Sequence, residues 1–340
     1  MPSGEIAAAN ADAGELLVFD AEGRFLRSIG GKGQGPGEYT WINGFDVWAD
    51  SLILSDSQLQ RVTVLDARMN PNRTLNFGHD LPTAIEQVSV LGPDLWGVRG
   101  FAAVYPPAEP GSTRQDTVGF GYMRPDSATW TRITSVPGMV TAAATIDGRW
   151  SYRPIAFTPE PMGATLGRCW VVGSGDSAEL SIWTPGGERL RTLVVGLPLR
   201  ETTPEDHAAW IDDLLEGLPE EAARWQRRFL EALPYPDFFP VIHDVVVDER
   251  GFVWVQEGQA PWGASRYWRV IDPTAGREVA RVEMPVSGKI LDIRTSGILV
   301  RGVTSLDEQY LIVFSSSRPE AEEDVVPPEC RSRVESRPIP

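Results

Sequence analysis

The sequence has few residues of the types that build disulfide frameworks and metal centres. Among 340 residues there are 2 cysteines and 3 histidines. Cys169 lies in the apolar run RCWVVG, whereas Cys330 lies in a charged, proline-containing tail. The pair shows neither the spacing of metal ligands nor the pattern of a disulfide framework. We therefore interpret Cys169 as a small buried hydrophobic residue.

Positive charge and long apolar runs are also scarce. Lys and Arg number 31 against 47 Asp and Glu, which gives a formal net charge of −16. This charge repels a phosphate backbone or an anionic membrane surface, so we expect no nucleic-acid partner. No apolar run approaches the roughly 20 residues of a membrane span, so we expect no membrane insertion by the chain as written. The opening MPSGEIAAAN lacks the basic and apolar regions of a secretion signal.

What the sequence has in quantity is short strands separated by Gly, Pro, Asp and Asn. The segments GELLVFDAEGRFLRSIG and SLILSDSQLQRVTVLDARMNPNRTLNFG share one order of strands and turns, and the order recurs to give six copies. A repeat of roughly 40 to 50 residues with four strands is typical of a β-propeller blade. The sequence therefore predicts an all-β fold, a six-bladed β-propeller, with residues 1–317 as one domain.

The two ends of the repeat array are incomplete. With the strands of a blade labelled A (innermost) to D (outermost), the first copy begins at strand B with Ile6 and the last stops at strand C near Phe314. The tail, residues 318–340, is rich in proline and charge, so we expect it to be disordered rather than to donate a strand. We expect instead that the natural protein begins upstream of Met1.

The glycine run GGKGQGPGEY, residues 30–39, could hold a phosphate or turn a corner. A phosphate loop needs backbone N–H groups at the start of a helix. Pro36 removes one donor, and the residues that follow, Ile42 to Trp48, form a strand pattern. We therefore predict a structural turn between an outer strand and the next inner one.

The run FDAEGRFLRSIGGKGQGPGEY and the strands after it resemble bacterial six-bladed β-propeller proteins with a G-x-G-x-G-P-G-E-[FY] turn, relatives of the NHL-repeat propellers. The resemblance covers essentially the whole chain. It implies the fold, and it implies a protein that is periplasmic, extracellular or lipid-anchored in its full-length precursor. It implies little about activity, because proteins of this type are mostly uncharacterised.

The longest predicted connection, residues 197–240, has a helical pattern. Thr203 can cap a helix that has Pro204 at its first position, and a second helix starts near Pro219. The sequence thus predicts a helical hairpin, about residues 200–236, between blades 4 and 5. Its aromatic residues either pack the hairpin onto the propeller or form a lid over the central mouth. They are Trp210, Trp225 and Phe229.

The central mouth is the end of the ring where strands A begin and strands B end. Candidate ligand-binding residues at these positions are Asn10, Asn43, Asp56, Arg99, Arg153, His243, Glu257 and Arg301. Arginines there could bind a carboxylate or sulfate, and carboxylates a sugar hydroxyl or a cation. The alternative is that these side chains only solvate the channel or pair with each other. Loop aromatics that could stack on a sugar or peptide are Trp41, Tyr105, Trp150 and Trp262.

No catalytic constellation stands out. There is no Gly-x-Ser-x-Gly elbow, GSGDSAE at residues 173–179 fits a hairpin turn, and neither His79 nor His207 has a neighbour that would make it a base or ligand. A calcium-dependent hydrolase, lactonase or lyase that uses Asn10, Asn43, Asp56 and Glu257 is the alternative.

We therefore predict a non-catalytic, extracytoplasmic binding module, expected to be monomeric. Its expected partner is a small molecule, a glycan or a protein. No cofactor is expected, and calcium belongs only to the alternative of a hydrolase or lyase. A polypeptide docked on the helical hairpin is a third possibility, which exposed apolar residues on the outer side of the hairpin would favour.

Overall fold

The computed structural model describes residues 5–77, 84–101, 109–126, 130–258, 264–286, 288–304, 308–315 and 325–331. Within these ranges the chain forms antiparallel strands, two α-helices and a short 3-10 helix. His79, Tyr105 and Trp262 lie outside the described residues.

The strands form six consecutive antiparallel sheets. The first sheet consists of β1 (Ile6–Asn10), β2 (Glu15–Phe19) and β3 (Phe25–Gly30). The second consists of β4 (Ile42–Trp48), β5 (Ser51–Asp56), β6 (Arg61–Leu65) and β7 (Pro71–Asn76). The third consists of β8 (Ala84–Gly92), β9 (Leu95–Phe101), β10 (Thr113–Met123), β11 (Trp130–Ile146) and β12 (Arg149–Pro154).

The other three sheets follow the same order along the chain. The fourth consists of β13 (Pro161–Leu166), β14 (Cys169–Ser174), β15 (Glu179–Trp183) and β16 (Arg189–Val194). Helices α1 (Pro204–Leu215) and α2 (Glu220–Glu231) come next. The fifth sheet consists of β17 (Ile242–Val247), β18 (Val253–Gly258), β19 (Ala264–Asp272) and β20 (Arg277–Glu283). The sixth consists of β21 (Lys289–Arg294), β22 (Gly297–Val303) and β23 (Gln309–Phe314).

Every sheet is a meander in which each strand pairs with the next along the chain. The first strands of several neighbouring sheets lie side by side: β4 contacts β8, β13 contacts β17, and β17 contacts β21. The third sheet contacts the fourth through β11. Apolar side chains fill the spaces between neighbouring sheets, and the largest include Trp96 and Trp268, both 1% exposed or less. These tryptophans fill the wedges between sheets, where large side chains are needed.

The predicted glycine turn is confirmed. Residues 31–39 form a loop that contains no helix and leads into β4. Gly30 and Gly37 have φ of 92° and 77°, a region that glycine enters without steric cost. Tyr39 fixes the end of the loop in two ways. Its ring is buried, and its backbone N–H donates to the Gly31 carbonyl oxygen at 2.8 Å.

The third sheet departs from the predicted four-strand unit. The strand β11 is long enough to pair with β10 along its first part and with β12 along its second. Arg153, which the sequence placed at the start of an innermost strand, lies instead on β12 at the outer edge of this sheet, opposite Ala142. The error arose because the repeat unit has no place for a fifth strand. The extended end of this sheet, residues 113–115, 140–146 and 149–154, is called the projection below.

The helical hairpin is present, and it packs on the projection. Thr203 caps α1 in a capping box with Asp206, and Pro204 is the first helical residue. Phe229 on α2 is 1% exposed and packs with Ala142 and Ala144 of β11. A large buried aromatic side chain of this kind is worth several kcal/mol of packing, so the hairpin is fixed to the third sheet.

The two cysteines form a disulfide, contrary to the prediction that Cys169 is a free hydrophobic residue. The bond joins the start of β14 to Cys330, in a 3-10 helix (Pro328–Cys330). Part of the tail predicted to be disordered, Val325 to Arg331, is thereby fixed to the fold. Spacing could not show this pairing, because the two cysteines are 161 residues apart and only the fold brings them together.

The segment 325–331, called the strap below, crosses the fourth and fifth sheets. The Arg168 N–H donates to the Cys330 carbonyl oxygen at 2.6 Å, and the Val325 N–H donates to the Arg250 carbonyl oxygen at 3.0 Å. Gly251, with φ of 90°, leaves the space that the Val326 side chain occupies. The strap therefore ties two neighbouring sheets together at their β13–β14 and β17–β18 turns.

Candidate functional site

One backbone irregularity recurs in the first strands of four sheets. In β4, β8, β17 and β21 the pairing register with the next strand shifts by one residue directly after an isoleucine. The isoleucines are Ile42, Ile85, Ile242 and Ile290. Each is buried, with 3% exposure or less. A β-bulge of this kind re-aims the side chain of the extra residue, so the same position is turned outwards in each of these strands.

The residues at the bulges differ in chemistry. They are Asn43, Glu86, His243 and Leu291. Asn43 and His243, two of the predicted site residues, thus occupy equivalent places in the second and fifth sheets. Glu86 was missed, although the recurring isoleucine before each bulge is a signal that could have identified it.

Charged groups of three different sheets influence Asp244, the residue after the bulge in β17. Burial raises the pKa of the Asp244 carboxyl, and the charges of Lys289, His243 and Arg99 partly offset that rise. His243 precedes Asp244 on β17, and Lys289 lies on β21, which contacts β17. Arg99 also forms an ion pair with Glu86 at 2.9 Å. The name mouth cluster is used below for Asp244, His243, Lys289, Arg99, Glu86 and Arg301.

Two cations and a histidine of the mouth cluster form no ion pair with a described residue. Arg301 lies directly opposite Lys289 in the β21–β22 pairing. Lys289, Arg301 and His243 are all exposed, and none forms an ion pair with a described residue. A site with exposed, unpaired cations beside a partly buried acid can bind an anionic group and orient it. Lys289 was not among the predicted site residues.

A second acid, Asp46, lies on β4, three residues after the bulge residue Asn43. Burial raises the pKa of Asp46 to about 6, even though the Val90 and Val47 N–H groups both donate to it at 2.7 Å. Repulsion from Asp292 adds to the rise and Arg294, which pairs with Asp292 at 2.6 Å, opposes it. The bond from Val90 joins the first strands of the second and third sheets.

Three predicted ligand-binding residues are occupied by turns. Asp56 is 1% exposed, and both of its carboxylate oxygens accept hydrogen bonds from backbone N–H groups. Its Oδ2 accepts from Thr40 at 2.6 Å and from Trp41 at 3.3 Å. Its Oδ1 accepts from Gln58 and Leu59. Asn43 accepts the Ser57 N–H at 3.0 Å, and Asn10 accepts the Ala13 N–H at 3.4 Å. These side chains therefore hold the ends of strands and the loop that precedes β4.

Glu257 lies in an ion-pair ladder across the fifth sheet. Its Oε1 accepts from Arg269 at 2.6 Å and Arg281 at 2.8 Å, and Arg269 also pairs with Glu278. Burial alone would raise the pKa of Glu257, but the hydrogen bonds from Arg281 and Arg269 outweigh burial and lower it. Glu257 is thus paired along its own sheet, and it does not join the mouth cluster.

The predicted lid aromatics pack within the hairpin and the projection. Trp225 stacks on Phe229 with ring centroids 5.5 Å apart, and Trp210 contacts His207 and Phe157. His207 is buried between Trp210 and Tyr235, and burial lowers the pKa of its ring. Some apolar side chains of the hairpin remain exposed, among them Leu214 and Leu218.

Two of the predicted loop aromatics lie on exposed surface. Trp150 is 45% exposed on β12 and stands beside Tyr152, with ring centroids 5.4 Å apart. Trp41 is exposed just before β4. Neither aromatic residue joins the mouth cluster. Among the described residues, no group of three or more His, Cys, Asp or Glu side chains has the proximity needed to hold a metal ion.

Comparison with known proteins supports the architecture. Residues 4–85 match the family described as 6-bladed beta-propeller. The match covers the first sheet, the second sheet and the start of the third, each of them a meander whose first strand contacts its neighbour. The chain is a β-propeller. No curated protein sequence matches it. Within the described residues, no helix is long and apolar enough to cross a membrane.

Several solved structures are similar in fold. A member of the duf4221 family from Bacteroides vulgatus has 10% identity and a TM-score of 0.49, with 89% of this chain and 86% of that chain covered. An exported-protein candidate of Bacteroides fragilis has 13% identity and a TM-score of 0.44, over 88% of this chain and 76% of that one. The WD40 β-propeller domain of Doa1 has 11% identity and a TM-score of 0.42, over 93% and 90%. Because every TM-score is below 0.5, none of these likenesses carries an argument about function.

Proposed function

We propose that the protein is a non-catalytic, extracytoplasmic binding module whose mouth cluster binds a small molecule or glycan through a carboxylate or sulfate group. The observation that carries this proposal is the pair of exposed cations Lys289 and Arg301, which lie opposite each other on β21 and β22 and form no ion pair with a described residue. Strand β21 contacts β17, which carries His243 and Asp244. In a chain with a net charge of −16, cations at the inner ends of neighbouring sheets that have no carboxylate partner among the described residues favour an anionic ligand.

The architecture that this function needs is a closed ring. We propose that the six sheets are six blades, with the helical hairpin inserted between the fourth and fifth, and that the protein is related to the NHL-repeat propellers. The family matched by residues 4–85 is described as six-bladed, which supports this count. In such a ring the first strands surround one channel, and the bulges turn side chains into its entrance.

The disulfide supports a location outside the cytoplasm. Disulfides form and persist in oxidising compartments and are rare where thiols are kept reduced. Both cysteines are fully buried, and the bond fixes the strap to the fourth sheet. This argument is independent of any secretion signal.

The alternative of a calcium-dependent hydrolase or lyase has less support. It relied on Asp56 and Glu257, but backbone N–H groups occupy Asp56 and two arginines occupy Glu257. A calcium site would need these oxygens free at about 2.3 to 2.6 Å from the ion.

A thermal-shift comparison of charged and neutral sugars tests the proposal. The probes are glucuronate, a sulfated disaccharide and inorganic sulfate, with glucose as the uncharged control. A ligand that binds only the folded state raises Tm by mass action, so at least one anionic sugar raises Tm whereas glucose does not. Equal shifts with glucuronate and glucose, or shifts that calcium reproduces alone, would contradict the anion site.

A further inference from the structure

Two exposed aromatic side chains stand in contact on β12, the outermost strand of the projection. Trp150 and Tyr152 are 45% and 42% exposed, and their ring centroids are 5.4 Å apart with the ring planes tilted by 44°. The residues are two positions apart on one strand, so both side chains project from the same side of the sheet. A single apolar side chain on a surface is ordinary, whereas two exposed rings in contact form a patch that requires an explanation.

Packing of the fold does not explain this pair of rings. The helical hairpin covers the other side of the projection, where Phe229 packs with Ala142 and Ala144. These alanines lie opposite Arg153 and Ser151, the residues of β12 that alternate with the two aromatic residues. Among the described residues, neither ring belongs to a hydrophobic cluster. The rings are therefore available to contact a ligand.

The strand that carries the rings is fixed in its register. Asp147 and Gly148 form the two-residue turn between β11 and β12, and both have the positive φ that a type I′ turn requires, 54° and 75°. Asp147 also forms an ion pair with Arg228 of α2 at 2.7 Å, which joins the turn to the helical hairpin. Rings that are held in place before binding lose little conformational freedom when a ligand arrives, and this favours affinity.

The size of the patch favours a small ligand over a protein. A large aromatic side chain has roughly 150 to 250 Å² of surface, and both of these are less than half exposed, so together they offer on the order of 200 Å². A stable protein interface buries about 800 Å² on each partner. The pair is therefore too small to hold a folded partner by itself, and its extent suits one or two sugar rings.

The chemistry of the patch suits an uncharged sugar. The face of an aromatic ring carries partial negative charge, and a pyranose ring presents C–H groups with partial positive charge. Thr145 lies directly opposite Trp150 on β11 and is exposed, so its hydroxyl can exchange hydrogen bonds with sugar hydroxyls. A nucleic-acid base could also stack on the rings, but the net charge of −16 repels its phosphates.

We propose that Trp150, Tyr152 and Thr145, called the aromatic platform, bind a neutral oligosaccharide. Two consecutive pyranose rings of the oligosaccharide stack on the two aromatic side chains. The tilt of 44° between the aromatic planes suits a chain that twists from one sugar to the next. The platform shares no residue with the mouth cluster, so this inference does not rest on the proposed anion site.

Calorimetric titration with neutral oligosaccharides tests the aromatic platform. The probes are cellopentaose, maltopentaose and mannopentaose, and glucose is the control that can cover only one ring of the pair. At least one pentasaccharide should bind, whereas glucose should bind much more weakly, because linked contacts reinforce each other. Trp150→Ala and Tyr152→Ala should each weaken binding by about tenfold or more, as truncation of a stacking aromatic residue does elsewhere. Tyr152→Phe keeps the ring and should bind within about twofold of the wild type.

Chemical protection locates the bound sugar without any substitution. N-bromosuccinimide oxidises exposed indole rings, and mass spectrometry identifies the tryptophan that is modified. The pentasaccharide that binds should slow the oxidation of Trp150 severalfold. It should leave the oxidation of Trp41, which is also exposed, unchanged.

The outcomes separate the possibilities. Binding that is weakened in Trp150→Ala, kept in Tyr152→Phe and unchanged in Lys289→Gln/Arg301→Gln supports the aromatic platform. No binding by any pentasaccharide, or binding that the two alanine variants leave unchanged, would overturn it. Protection of Trp150 by a proline decamer but by no sugar would show a peptide site and would also overturn it. The pentasaccharides carry no charge, so failure here is distinct from failure of the proposed anion site.

Discussion

The two ends of the fourth, fifth and sixth sheets differ in how they are held. At one end the strap crosses the fourth and fifth sheets, with a buried disulfide, backbone hydrogen bonds and the packed side chain of Val326. At the other end lie Asp244 and exposed cations that lack ion-pair partners among the described residues. An end that serves stability satisfies its groups internally, whereas an end that binds leaves some of them available. This difference is the reason to look for the ligand at the mouth cluster.

Removal of the disulfide is the change expected to have the largest effect. Closing a loop of 161 residues restricts the unfolded chain, and the chain-entropy relation gives a stabilisation of about 5 kcal/mol. We therefore expect the double variant Cys169→Ala/Cys330→Ala to lose roughly that amount of unfolding free energy in urea titrations.

The same variant also tests the separation of the two ends. Under conditions where the variant is folded, its affinity for an anionic ligand of the mouth cluster should match that of the wild type. A change of tenfold or more would show that the strap and the mouth cluster are coupled.

Truncation of Phe229 separates packing from a lid function. Phe229 is buried against β11, so Phe229→Ala should cost about 3 to 5 kcal/mol of stability, as other large-to-small core changes do. Trp150→Ala, at an exposed side chain on β12, is the control and should cost much less. If the hairpin is a lid, Phe229→Ala will alter ligand affinity in the folded protein. We expect the affinity to stay unchanged.

The raised pKa of Asp46 makes the free energy of unfolding depend on pH. Its pKa is about 6 in the fold against 3.8 for an unperturbed group, so the folded state holds its proton up to a higher pH than the unfolded state does. The contribution of Asp46 is therefore fully present below pH 4 and is lost as the pH rises through 6, by about 3 kcal/mol for a shift of this size. The variant Asp46→Asn should lack this loss.

Chemical denaturation at pH 4 and pH 7 measures the effect of Asp46, and a further measurement below the folded pKa of Asp66 makes Asp66 a control of opposite sign. Backbone hydrogen bonding by Asn70 lowers the pKa of Asp66, so its contribution is present at neutral pH and is lost as the pH falls through its folded pKa. If Asp46→Asn and Asp66→Asn change the pH profile in the same direction, the assigned environment of Asp46 is wrong.

Local signals in the sequence predicted the recurring units well. The strand order, the glycine turn and the helix capped by Thr203 all depend on residues close together in the chain, and the structure contains each of them. The disulfide could not be predicted in this way, because its cysteines meet only after two sheets have formed. The fifth strand of the third sheet broke the repeat and misplaced Arg153.

The candidate site was predicted less well because side-chain partners come from other strands. His243 and Arg301, named from their positions at strand ends, lie in the mouth cluster and stay predictions as ligand-binding residues. Lys289 was not named, although it directly precedes the recurring isoleucine of β21. Glu257 was named as a ligand because the sequence does not show that Arg269 and Arg281 face it from the next two strands. The bulge register, once recognised in four sheets, is the pattern that would have sharpened the prediction.

Calorimetric titration of mouth-cluster variants is the most direct test of the central claim. The ligand is the anionic sugar that gives the largest thermal shift, and the variant is Lys289→Gln/Arg301→Gln. Arg189→Gln is the control, because Arg189 is exposed on the outer strand β16 and forms no ion pair with a described residue. The account predicts that the double variant weakens binding by about tenfold or more, equivalent to about 1.4 kcal/mol, while the control binds like the wild type. Equal weakening in both, or unchanged binding in the double variant, would contradict a ligand site at the mouth cluster.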